Sequence, residues 1–113
     1  MLQQTDRIDG MFHALADATR RGMVERLSRR AMSVSELAKP YQMSLTAVVQ
    51  HLRLLERSGL VKSEKIGRVR ICRVDLAALA RAERWFAGRR VELERKFDRL
   101  AIHLAKESGN EGE

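Results

Sequence analysis

A mainly α-helical fold carrying one small β-hairpin is predicted by three features of this 113-residue chain. Apolar residues recur at helical spacing along most of it, its single proline interrupts little of that pattern, and a short alternating, β-branched tract occupies residues 61–74. Hydrophobic residues make up 44% and charged residues 33%, the balance of a chain that buries a core rather than one that stays unfolded. The length suits one domain with a modest core, taken as residues 1–107, with the polar end SGNEGE (108–113) as a disordered tail.

Ile8, Met11, Phe12 and Leu15 recur at helical spacing and predict a first helix over about 6–15. Asp17 is placed to cap a second, in which Met23, Val24 and Leu27 face inward. Ser33-Val34-Ser35-Glu36 has the form of a capping box, where serine hydroxyl and glutamate carboxylate each take up a free amide, so a third helix starts there. It is short, because Pro40 stands near its end and Ser44 already caps a fourth helix. Two helices separated by the tight turn Tyr41-Gln42-Met43 form a helix-turn-helix over about 34–58.

The fourth helix carries Leu45, Val48, Leu52 and Leu55 as one stripe, with Thr46, Ala47, Gln50, Arg53 and Arg57 projecting from the other side. That outer face is small, polar and basic. Leu54 falls outside the stripe. Ser58-Gly59 ends the helix, glycine supplying a left-handed cap. LVKSEKI and VRICRV, joined through Gly67-Arg68, then predict a hairpin wing over about 61–74. Asp75 caps a last helix over about 75–105, along which Leu79, Phe86, Leu93 and Leu100 repeat every seven residues beside Phe97 and Leu104. Because a core precedes it, a partner chain is the expected cover for this stripe.

The net charge is +7, and its distribution matters more than its size. Residues 61–74 hold Lys62, Lys65, Arg68, Arg70 and Arg73 against Glu64 alone, a local +4, whereas residues 75–113 balance to zero. Charge focused on a hairpin beside a helix-turn-helix points to nucleic acid. In that reading Thr46 and Gln50 hydrogen-bond base edges and Ala47 meets a thymine methyl, while Arg53, Lys65, Arg68 and Arg70 serve phosphates. His51 has two readings, a DNA contact or a boundary histidine bonded within the fold. The alternatives are a winged-helix protein-interaction module without DNA binding and a metal-sensing repressor of the same fold.

Other chemistry has little to stand on. Cys72 is alone, so it closes no internal disulfide and reads as a small buried apolar residue on a strand rather than a redox or metal sensor. His13, Asp98 and His103 are the best metal-ligand candidates, but the last two are five apart and do not share a helical face. Phosphate-binding glycine loops and hydrolase or zinc-protease motifs are missing, so neither catalysis nor a cofactor is implied. No apolar run reaches membrane-spanning length and MLQQTDRIDG lacks a signal-peptide profile, so a cytoplasmic location is expected.

The segments MFHALADATRRGMVERL, SVSELAKPYQMS, AVVQHLRLLERSGLV and GRVRICRVD resemble, in register, successive segments of the ArsR/SmtB family of bacterial winged helix-turn-helix regulators. The resemblance implies a homodimer joined through its first and last helices that binds a roughly palindromic operator and usually represses a promoter. By position the DNA-contacting residues are Ser44, Thr46, Ala47, Gln50 and His51, with Arg68 at the wing tip; Arg53, Lys65 and Arg70 join them from the charge pattern. The dimer residues are Ile8, Phe12, Phe86, Leu93, Phe97, Leu100 and Leu104. Ala18 replaces the proline usual after the aspartate, Val49 replaces a common serine of the recognition helix, and Leu93 stands where a subgroup has tryptophan. The segment AERWFAGRRVELERKFDRL resembles a subgroup of the family with no thiolate metal site, and the family's thiolate and Asp-x-His metal motifs are both missing, so metal response is not carried over.

Overall fold

The computed structural model describes residues 2–111, with side-chain surroundings for 7–109. Two compact units result, Met1–Leu79 and Ala80–Glu113. The first contains α1 (Leu2–Leu15), α2 (Ala18–Arg29), β1 (Met32–Ser33), α3 (Val34–Ala38), α4 (Leu45–Arg57), β2 (Val61–Ile66) and β3 (Val69–Val74). A long α5 (Leu76–Glu111) begins there and makes up the described part of the second.

Local chemistry sets most boundaries. Asp17 Oδ2 accepts the Arg20 amide at 3.0 Å and starts α2. Ser33 and Glu36 complete the capping box at 3.1 and 3.2 Å. Ser44 Oγ accepts the Ala47 amide at 3.1 Å, and Asp75 Oδ1 accepts that of Ala77 at 3.1 Å. Gly59, at φ 86°, turns the chain out of α4 in a conformation that L side chains avoid.

The sheet is larger than a hairpin. β2 and β3 pair antiparallel from Val61 opposite Val74 to Ile66 opposite Val69, with Gly67 at φ 65° in the first position of the two-residue turn. β1 adds a third strand, Met32 and Ser33 opposite Cys72 and Ile71, giving the order β1-β3-β2. Two residues leave no readable alternation, and these two double as the approach to the α3 cap.

Met23, Leu37, Val48, Leu55, Leu60, Val61 and Cys72 are all fully buried in the first unit. Each large apolar side chain so buried contributes about 1.5–3 kcal/mol. Cys72 is buried as expected, and burial pushes its thiol up to about 11, well away from a reactive thiolate. Leu45 departs from the expected stripe. It is 58% exposed, because the packed stripe begins one turn later at Val48 and nothing covers the first helical residue. Leu54 is half-buried.

In the second unit no described residue from Ala80 onward is buried. Leu93, Phe97, Leu100 and Leu104 are all about half exposed. The helix continues through Ser108–Glu111, past its expected end and into the segment read as a tail; Gly112 and Glu113 lie outside the described residues.

Candidate nucleic-acid interface

Helix α4 has Val48, Leu52 and Leu55 locked inward, which fixes its rotation about its own axis and turns Thr46, Gln50 and Arg53 to solvent. Ala47 is half-buried beside them, and the exposed Ser44 is occupied as the cap. The helix therefore presents hydroxyl, amide and guanidinium groups one turn apart.

Arg26 on α2 fixes the turn before α4. Its guanidinium donates to the carbonyls of Leu37 (2.5 Å) and Glu36 (3.1 Å) at the end of the five-residue α3, the second of which also accepts the Lys39 amide at 3.4 Å, and lies 5.6 Å from the Tyr41 ring centre. Glu36 also pairs with Arg30 at 2.9 Å, and its carboxyl is held below the usual range, first by the Ser33 amide and then by Arg30. Neither arginine is marked by a local motif, since the contacts join separate elements.

The wing changes character along one face. Val61, Cys72 and Val74 are buried, Ser63 beside them is half-buried, and the next cross-strand pair on that face is Lys65 opposite Arg70, both exposed. Like charges placed directly opposite each other repel, and an anion between them relieves the cost. Arg70 donates to Ser63 Oγ at 2.9 Å, and Ser63 Oγ donates to Glu56 Oε1 of α4 at 2.6 Å. This relay joins the wing to the end of the recognition helix. Arg70, Arg53, Val34, Val49, Leu52 and Glu56 line one groove of about 360 Å³. Arg68 stands exposed in the turn of the hairpin.

His51 differs from its neighbours. Its side chain is only 23% exposed, with Nδ1 3.3 Å from Arg20 Nη1 and 3.8 Å from Asp17 Oδ2. Asp17 is itself held below the usual carboxyl range, first by the Arg20 amide. Of the expected dimer residues, Ile8 is already buried within the single chain at 5% exposure, whereas Phe12 and Phe86 are exposed and Leu93, Phe97, Leu100 and Leu104 lie along α5. His13, Asp98 and His103 form no metal-ligand cluster among the described residues; His103 pairs with Glu107 at 3.0 Å.

Known proteins are similar to this chain in sequence and fold. Residues 15–64 match a family model described as a helix-turn-helix domain. The HTH-type transcriptional regulator Rv2034 of Mycobacterium tuberculosis is 35% identical over 93% of this chain and 92% of its own. A crystal structure of an ArsR family transcriptional regulator superposes with a TM-score of 0.74 at 41% identity, covering 80% of this chain and 93% of the other. The homodimeric winged helix-turn-helix DNA-binding domain of Mb0332 from Mycobacterium bovis superposes with a TM-score of 0.58 at 26% identity, covering 85% and 83%.

Proposed function

The chain belongs to the ArsR family of winged helix-turn-helix transcriptional regulators, and we propose that it acts as a homodimeric repressor on a two-fold-symmetric operator. The observation that carries the sequence-specific part is the outer face of α4. Thr46, Ala47 and Gln50 offer short, uncharged groups able to meet base edges, while the cations Arg53, Lys65, Arg68 and Arg70 flank them. Each protomer lays α4 in a major groove and the wing along the adjoining backbone, with half-sites about 34 Å apart.

The half-exposed stripe of α5 supports the dimer, as does the homodimeric state given for the Mb0332 domain. A cytoplasmic location fits a protein whose partner is chromosomal DNA, and no described helix is long and apolar enough to cross a membrane. Selection of bound duplexes from a random pool at physiological salt tests the proposal. It predicts an enriched palindrome. Uniform recovery refutes sequence-specific binding, and an enriched single half-site refutes the dimeric mode.

A further inference from the structure

Arg20 sits where three elements meet. From α2 its Nε donates to the Ala14 carbonyl at 2.7 Å and its Nη2 to the His13 carbonyl at 3.4 Å, both at the end of α1. Its Nη1 lies 3.3 Å from Nδ1 of His51 on α4. A guanidinium has only donors, so a hydrogen bond between the two requires Nδ1 of His51 to be the acceptor. Among the described residues the carboxylate near Nδ1 is that of Asp17, whose Oδ2 at 3.8 Å is beyond hydrogen-bonding distance and already accepts the Arg20 amide at 3.0 Å. A neutral imidazole facing Arg20 this way carries its hydrogen on Nε2. Among the described residues that nitrogen has no bonding partner, and the side chain that carries it is 23% exposed.

We propose that Arg20 is a positioning residue that holds His51 in the Nε2–H tautomer, so that the recognition helix presents a fixed hydrogen-bond donor at this position. The inference deepens the DNA-binding reading and rests on it for the identity of the acceptor. A lone N–H donor fits a purine N7, guanine O6, thymine O4 or a phosphate oxygen, and disfavours the amino groups of adenine and cytosine. The anchor is the end of α1, so the helix expected at the dimer seam also orients a ring of the recognition helix.

The first test needs no DNA. Long-range ¹H–¹⁵N correlation spectra of the free protein, recorded on the neutral ring, are expected to show a protonated Nε2 and a bare Nδ1. In Arg20→Met the ring is expected to become a mixture of tautomers. A ring protonated on Nδ1 in the unaltered protein, or the same single tautomer in Arg20→Met, overturns the role of Arg20.

The second test uses the selected duplex. Glutamine places its amide near the Nε2 position and asparagine near Nδ1, so His51→Gln keeps most of the affinity while His51→Asn loses about tenfold. Loss confined to one base pair identifies a base acceptor, and loss uniform across sequences identifies a phosphate. Equal affinity of the two variants overturns the donor. If no duplex is enriched, the DNA reading fails while the ring spectra still decide the role of Arg20.

Discussion

The two units bury their apolar residues in opposite ways. In the first, Val48, Leu55, Leu60 and Cys72 are at most 1% exposed and packed within one chain. In the second, Leu93, Phe97, Leu100 and Leu104 repeat with comparable regularity and remain at least 51% exposed. A core closed within one chain needs no partner to fold, whereas a helix with an open stripe can bury it only against another surface. The first unit thus closes its core within one chain, and the second leaves its apolar stripe uncovered there.

The largest effect belongs to the closed core. Leu55→Ala is expected to cost about 2–5 kcal/mol in urea unfolding, because a fully buried side chain leaves a cavity. A loss below about 1 kcal/mol means the site collapses freely and the contrast between the units is weaker than drawn.

Phe97→Asp should leave the reading head folded and abolish the dimer in sedimentation, lowering affinity for a two-half-site duplex by about 100-fold through lost avidity. An unchanged dimer would move the interface off α5. Within the reading head, Gln50→Ala should cost about 1–3 kcal/mol at one base position. Arg68→Ala should instead weaken all sequences alike and reduce the salt slope by about 0.9. If the two variants show the same profile, helix and wing do not divide base from phosphate contact.

The smallest effect is acid sensitivity. Asp17 and Glu36 have pKa values lowered in the fold from 3.8 and 4.5, so the native state binds fewer protons than the unfolded one. Their contribution is complete above those ordinary values and is lost as pH falls through the folded ones. Asp17→Asn keeps a capping side chain without titrating, so stability followed by circular dichroism from pH 5 to pH 2 should fall less steeply in that variant. An identical slope would assign acid lability elsewhere.

The helix-turn-helix was legible because its signals are local. Asp17, Ser33 with Glu36, and Ser44 each act within three residues of their own helix start, and Gly59 and Gly67 mark turns that their neighbours also announce. The basic hairpin was legible for the same reason, since its charges all fall within residues 61–74. Leu45 misled because periodicity assigns a face to a residue without showing where the covering elements end.

Sequence by itself determined the order of the five helices and the hairpin, their caps, the buried stripe from Val48 to Leu55 and the polar face opposite it, all properties of windows a few residues long. Only the tertiary structure decided what joins those windows. β1 exists because Met32 and Ser33 reach Cys72 and Ile71, and Arg26 closes α3 from eleven residues away. Ser63 ties the wing to Glu56, and Arg20 reaches across thirty-one residues to His51. An arginine or serine can donate to whatever acceptor the fold brings near, so its partner is fixed by proximity in space.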